Sequence, residues 1–252
     1  MPKQQKGQSL IEFAILVPVL ILFILGAAEL TLFIGAYMNL LDLTREAARF
    51  ASVRDPFKIF TEQNCGPNDP ITHPNPYDNS YFYDTACVFS PIQGSSSCTD
   101  PAFCNGFNST LYIKPDQDDI LITAFTVTDN AVSDEWGDGA PNVPLVPNVG
   151  PWVWSNHDAD TAHNNNWKRS CDGTNPNETP NPYFTDAKIN DYMAQAGSSV
   201  GAKGFVVVEA YFCYHQVMKV PLVGLMFPDP MKLHVYTIMP LPYASPTATP
   251  IP

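Results

Sequence analysis

Two carboxylates stand in or beside a long apolar segment near the N-terminus, and their positions indicate chemistry by charge pairing. Glu12 directly precedes the run from Phe13 to Leu41, and Glu29 is the only charged residue within that run. An ionised carboxylate in such surroundings costs a few kcal/mol of free energy unless it finds a partner. We therefore predict that Glu29 binds a partner group or water. Glu12 either pairs with a partner or lies at a membrane interface.

The apolar segment itself predicts a membrane-spanning helix. Residues 13–28 carry no charge, and the whole run exceeds the roughly 20 residues that a helix needs to cross a bilayer. Lys3 and Lys6 precede it and no basic residue follows until Arg45, so the N-terminus is predicted to stay in the cytoplasm. A shorter secretory signal ending at residues 26–28 is the alternative, but the apolar run continues well beyond them.

Beyond Asn39 the pattern becomes that of an amphipathic helix, with apolar residues at spacings of three and four. We predict one helix over residues 8–54, roughly 70 Å long, with at most a bend near Pro18. It should end at Asp55, because a residue before proline is disfavoured in a helix. The predicted apolar positions are Leu40, Leu43, Ala47 and Phe50 or Ala51, and the predicted solvent positions are Asp42, Arg45, Glu46 and Arg49.

The segment 7–53 resembles the TadE-like pilins and pseudopilins of the Flp/Tad (type IVb) pilus system. The resemblance rests on the order Gly-Gln-Ser-Leu-Ile-Glu-Phe, in which Gly7 is followed by four residues, Glu12 and Phe13. Phe13 stands where the commonest form has Tyr. The resemblance implies cleavage by a prepilin peptidase between Gly7 and Gln8. It also implies that Glu12, Phe13 and Glu29 act in assembly, with Glu12 meeting the α-amino group of a neighbouring subunit.

The same resemblance implies an organisation and a set of partners. A leader at 1–7 would precede a stem helix at 8–54, an exported domain at 55–241 and a Ser/Thr/Pro-rich tail at 242–252. The implied partners are other pilin subunits, the prepilin peptidase, the Tad assembly machinery and the membrane. The protein would lie in the inner membrane before assembly and then in an extracellular filament or at the cell surface. Whether it is a major or a minor pilin stays open, and its size favours a minor one.

Three runs rich in β-branched and aromatic residues predict strands in the exported part, at 119–128, 204–217 and 232–241. The second run alternates so that Val206, Val208 and Ala210 share one face, and this face needs a cover. The sequence therefore predicts an α+β fold: a small antiparallel sheet packed against the stem helix. The long segments 57–114 and 129–187 show no periodicity and are predicted to be loops that are functional, tied by disulfides or partly disordered.

Six cysteines follow the apolar segment, and an even count in an oxidising compartment predicts up to three disulfides. Their pairing stays open. No Cys-x-x-Cys pair occurs, which weakens a zinc or thioredoxin-like interpretation. The candidates are Cys65, Cys87, Cys98, Cys104, Cys171 and Cys213.

Metal binding has only weak candidates in the sequence. Asp129, Asp134 and Asp138 crowd one segment, and clustered carboxylates suit calcium, but their spacing does not match an EF-hand loop. A solvated acidic turn is the favoured interpretation, so no metal is predicted. His157 and His163, with Asp158 and Asp160 between them, lack a helix or strand that would align them as ligands.

Composition and motifs favour a structural or a binding function over nucleic-acid recognition and catalysis. The chain has 13 Lys and Arg against 25 Asp and Glu, a net charge of −12, whereas nucleic-acid binding needs a basic face. No nucleophile elbow, phosphate-binding loop or zinc-protease motif is present, so neither an enzyme nor a cofactor is predicted. A pilin-like structural subunit is the leading hypothesis. The alternatives are a membrane-anchored or pilus-tip adhesin and, behind it, a membrane-anchored enzyme.

Overall fold

The computed structural model gives the protein a long N-terminal helix packed on a five-stranded antiparallel sheet. The residues that the structure describes are 8–54, 80–90, 106, 111, 113, 118–132, 152–155, 171, 183–196, 203–219, 224 and 228–242. The elements in chain order are α1 (Gln8–Ser52), α2 (Ser80–Ala86) with a 3-10 turn (Cys87–Phe89), β1 (Asp119–Thr128), β2 (Ala131–Val132), β3 (Trp152–Ser155), α3 (Asp186–Ala196), β4 (Lys203–Tyr214) and β5 (Met231–Leu241).

Helix α1 is continuous for 45 residues and contains Pro18. It ends two residues before the predicted boundary, at Ser52, where the N–H of Arg54 donates to the carbonyl of Ala51 in a closing turn. The guanidinium of Arg54 pairs with the buried carboxylate of Asp84 in α2 and lies over the Phe50 ring. The end of α1 is therefore fixed to α2 by a paired charge, which a buried carboxylate requires.

Strands β1, β4 and β5 form the body of the sheet, and each neighbouring pair is antiparallel. The far edge of β1 is shared by β2 and β3. Asp129 and Asn130, at φ of 52° and 66°, form the tight turn into β2. These two residue types tolerate left-handed backbone better than other side chains, which suits a hairpin turn.

One face of the sheet packs on α1 and forms the main core. Val206, Val208 and Ala210 of β4 lie on this face, which confirms the prediction from their alternation. The matching side of α1 includes Leu40 and Ala47. Small side chains on the helix, such as Ala47, let the two elements approach closely. The other buried hydrophobic residues of α1 and the sheet on this face are Ala36, Ala48, Ala51, Ile120, Ile122, Ala124, Tyr214, Leu233, Val235 and Leu241.

The opposite face carries a smaller core under α3. Phe125, Val127 and Val207 from the sheet pack with Phe184 and Ile189. The sheet therefore lies between α1 and the α3 segment, and the α+β fold class predicted from the sequence is confirmed. This layered arrangement is what a sheet with two apolar faces requires.

The three predicted strands are confirmed, with β1 at the predicted bounds and β4 and β5 shifted by one to three residues. The prediction that 57–114 and 129–187 contain only loops is wrong at α2, β2 and β3. All three elements are short, and β2 and β3 depend on backbone pairing with β1, such as that of Ala124 with Trp152. Helix α3 was missed, although Thr185 starts it as an N-cap and Ile189 and Met193 follow at helical spacing.

We call the part of the protein from α2 to β5 the head. Disulfides cross-link the described part of the head. Cys171 bonds to Cys213 of β4, with Cα atoms 5.5 Å apart, and Cys87 is also disulfide-bonded. None of the described cysteines is free. Cys65, Cys98 and Cys104 lie outside the described residues.

Candidate assembly and anchoring site on the N-terminal helix

Helix α1 has two parts with different surroundings. From Glu12 to Ala28 no residue is buried, whereas from Glu29 onwards one side of the helix packs against the sheet. The exposed part is apolar, and α1 is the one helix among the described residues that is long and apolar enough to cross a membrane. This surface is suited to contact with lipid or with other apolar helices, because in water its hydrophobic side chains would be exposed to solvent.

The residues predicted for processing and assembly lie at the start of this exposed part. Gly7 is outside the described residues, and Gln8 is the first residue of α1. Glu12 and Phe13 are both exposed in the first turns of the helix, well before the part that contacts the sheet. Cleavage at Gly7 and an assembly role for Glu12 and Phe13 remain predictions.

Glu29 is buried at the point where α1 first meets the sheet domain, with 3% of its surface exposed. One carboxylate oxygen accepts hydrogen bonds from the hydroxyl of Tyr214 at 2.8 Å and the backbone N–H of Val217 at 3.0 Å. The other accepts from the backbone N–H of Met218 at 2.7 Å. Glu29 therefore has three donors from the end of β4 and the loop that follows.

These contacts explain how an acid can lie inside an apolar helix. Burial disfavours a bare carboxylate, and several donors compensate for the water that is lost. Burial, followed by the hydrogen bond to Glu29, raises the pKa of Tyr214, so its phenol stays protonated and remains a donor at neutral pH. The ring of Phe33 packs edge-on against Tyr214 at 5.3 Å and shields the contact. We call the contact of Glu29 with Tyr214, Val217 and Met218 the stem–head clamp.

A second buried carboxylate, Glu209, lies on the opposite face of the sheet and is fully enclosed. It accepts from the hydroxyl of Tyr211 at 2.8 Å and contacts Nε2 of His234 at 2.9 Å. The backbone N–H groups of Tyr183 and Phe184 also donate to it, at 3.2 and 3.4 Å. These contacts tie the segment before α3 to the sheet, so Glu209 organises this part of the fold.

Exposed tyrosines surround this second carboxylate on the outer face. Tyr183, Tyr192 and Tyr236 are each more than a third exposed. The ammonium of Lys188 lies 3.0 Å from the centre of the Tyr183 ring, and Tyr236 stacks near the same ring at 6.0 Å. A hydrogen bond to Tyr192, and then the nearby Lys188, lowers the pKa of Tyr183.

Sequence reasoning identified Glu29 but missed its partners and missed Glu209. The alternation in the second predicted strand indicates neither a polar role for Tyr214 nor the burial of Glu209. A signal was present, since an acid inside a run such as Val-Val-Val-Glu-Ala needs donors once the strand is buried. The identity of those donors depends on residues far along the chain, which no local pattern encodes.

Only one of the three calcium candidates, Asp129, lies among the residues that the structure describes. Asp129 lies exposed in the β1–β2 turn, while Asp134 and Asp138 are outside the described residues. Within the described ranges, no group of three or more His, Cys, Asp or Glu side chains is arranged to hold a metal ion.

An apolar helix that is half free and half packed on a small antiparallel sheet is the arrangement expected of a membrane-anchored protein with a pilin-like stem. The family model described as TadE-like protein matches residues 7–49, which covers most of α1. The N-terminal helix is thus similar to the corresponding segment of TadE-like proteins. That family supplies structural components of the pilus and is not a family of enzymes. No curated protein and no solved structure matches the chain.

Proposed function

We propose that this chain is a structural pilin-like subunit of a Tad-type filament, held first in the membrane and then in the filament by α1. The observation that carries the proposal is the exposed apolar surface of residues 12–28 on a helix that is fixed to the head at Glu29. A filament subunit needs both features. The free part of the helix buries itself among its neighbours, and the clamp transmits the position of the helix to the head.

Processing would prepare the helix for assembly. In the proposed sequence of events, the prepilin peptidase cleaves between Gly7 and Gln8 and creates a new α-amino group at the start of α1. Glu12 of one subunit then pairs with the amino group of a neighbour. Such a pair offsets the desolvation of both charges in an apolar filament core and fixes the axial register of the helices. The Tad assembly machinery and other pilin subunits are the partners.

Glu29 would support assembly in a different way from Glu12. Both of its carboxylate oxygens accept hydrogen bonds from the chain's own head. We therefore assign it to holding the head at a fixed height and rotation on the stem. A neighbouring stem would then meet the head in one orientation.

A second candidate function is adhesion through the head. It is favoured by the exposed tyrosines 183, 192 and 236, which lie on the face of the sheet opposite α1. Aromatic side chains with polar tips are common where proteins bind sugars or other proteins. Loss of surface attachment in a Tyr192→Ala variant that still enters filaments would support this second function.

The test of the proposed function is a Glu12→Gln variant of the full chain. The amide keeps the shape of the side chain but removes the charge, so membrane insertion should be normal while recovery in sheared filaments falls by about tenfold or more. Asp42→Asn is the matched control, because Asp42 is exposed on the same helix and pairs only with Arg45 at the surface among the described contacts. Equal recovery of both variants in filaments would contradict the proposal.

A further inference from the structure

The stem–head clamp sets the length of helix that is free to span a membrane. Residues 8–28 precede the clamp, and at 1.5 Å per residue they cover about 30 Å, which equals the hydrocarbon thickness of a typical bilayer. Glu29 would then lie near the outer surface of the bilayer. The part of the head that contacts Glu29 lies at the same level.

The loop between β4 and β5 occupies this position. The N–H groups of Val217 and Met218 donate to Glu29, and the N–H of Gln216 donates to Asp229 at 3.1 Å, which closes the neck of the loop. Lys219 has a left-handed φ of 47°, so the chain turns sharply after Met218. The start of the loop therefore lies next to the stem. Its backbone N–H groups at Gln216, Val217 and Met218 already have hydrogen-bond acceptors.

The side chains at this point are apolar and face outwards. Val217 is 64% exposed and Met218 is 45% exposed, although both backbones are fixed by Glu29. Residues 217–227 contain one charged residue, Lys219, and no acid. Apolar side chains beside a lysine are typical of segments that enter the lipid interface, where the ammonium reaches the headgroups.

We infer that Val217 and Met218 form a second membrane contact, in which these first residues of the β4–β5 loop enter the interfacial region of the outer leaflet beside the spanning helix. The occupant of this surface is lipid, because the surface is continuous with the spanning segment at Glu29. Before assembly the head would then be supported at two points. Two contacts restrict the tilt and rotation of the head relative to the bilayer. A single flexible anchor would leave both free.

The inference depends on insertion of α1 into a membrane, which the proposed function shares, but it does not depend on filament assembly. Its test is the full chain in lipid vesicles with Met218→Cys carrying an environment-sensitive fluorophore. Ile238→Cys is the matched control, since Ile238 is 43% exposed and apolar but lies on β5, on the sheet face away from α1. Wild-type protein treated in the same way gives the background from native cysteines.

The expected result is a blue-shifted emission at position 218 and quenching by lipids spin-labelled near the headgroup about twofold stronger than at position 238. Val217→Cys should behave like Met218→Cys, which guards against a folding defect in one variant. Equal quenching at 218 and 238 would overturn the inference. A blue shift that appears only at low lipid-to-protein ratio, with crosslinks between copies, would also overturn it, because a second copy rather than lipid would then cover the loop.

Discussion

At the scale of single residues, the position of a carboxylate decides what it does. Glu29 and Glu209 are buried, and each accepts hydrogen bonds from at least two backbone N–H groups in distant parts of its own chain. Glu12 is exposed on the free part of α1. Two acids therefore hold the fold together, whereas the third lies on the exposed part of the helix.

The hydroxyl of Tyr214 should be needed to attach the head to the stem. Tyr214→Phe removes one donor from the buried carboxylate of Glu29 while keeping the ring against Phe33. We expect the free energy of unfolding of the head to fall by about 1–3 kcal/mol, the usual cost of leaving a buried polar group short of a partner. Thermal unfolding in mild detergent, followed by circular dichroism, measures the change.

Tyr37→Phe is the control for this variant. Tyr37 lies on the same helix and is 39% exposed, so loss of its hydroxyl should leave the unfolding temperature unchanged. If the two variants unfold alike, the hydrogen bond from Tyr214 to Glu29 contributes nothing measurable.

Maturation should require Gly7. A peptidase at the membrane face needs close access to the backbone, and a residue without Cβ allows it most easily. Gly7→Val should leave the full-length precursor in the membrane, visible as a slower band and as an unchanged N-terminal sequence. Gly35→Val is the control, because a Cβ at Gly35 meets open space and that residue is far from the predicted cleavage site. A normal mature band from Gly7→Val would exclude prepilin processing.

At the scale of elements, α1 combines two surfaces that require different environments. Its N-terminal part is apolar on all sides, as a membrane helix is. Its C-terminal part buries a narrow stripe of small residues against β4 and β5 and exposes Asp42, Arg45, Glu46 and Arg49, as predicted. The change occurs at Glu29, so this residue marks the boundary between the membrane segment and the head.

Replacing the small residues of that stripe with larger ones should destabilise the packing of α1 on the sheet. Ala47 is fully buried between α1 and the sheet, so Ala47→Leu should force the helix away from β4 and lower the free energy of unfolding by about 1–3 kcal/mol. The same substitution at Ala27, which is exposed, is the control and should have no effect on the head. Protease resistance of the head reports the difference. If the head of the Ala47→Leu variant resists protease as well as the head of the Ala27→Leu variant does, the interface between α1 and the sheet is loosely packed.

At the scale of the whole molecule, one sheet separates two cores. The α1 side holds the larger core, and the α3 side holds a smaller one closed by Glu209 and by Phe184. The disulfide from Cys171 to Cys213 joins a distant segment to β4. Covalent links of this kind stabilise a domain largely by restricting its unfolded chain.

The head should therefore depend on its disulfides. The intact mass of the native protein should reveal no free thiol when alkylation precedes reduction. Loss of the link in a Cys171→Ser, Cys213→Ser double variant should lower the free energy of unfolding by about 2–4 kcal/mol. The stem should still insert into membranes, which separates a defect of the head from a defect of anchoring. Two or more alkylated cysteines in the native protein would contradict the prediction.

The sequence by itself determined the elements that have strong local patterns. The apolar run predicted α1, and the alternation around Val206 and Val208 predicted both a strand and the face that packs on the helix. These properties depend on spacings of two to four residues, which are visible in any short window. The Gly7–Phe13 order was sufficient to indicate the family resemblance, which the match over residues 7–49 confirms.

Only the tertiary structure decided which groups meet across long distances. Glu29 was recognisable as an acid that needs partners, but Tyr214, Val217 and Met218 lie more than 180 positions away in the chain. The short strand β3 likewise exists because β1 offers it a free edge. Such contacts depend on how the sheet docks on α1. The packing of the whole core sets that geometry, and no local spacing encodes it.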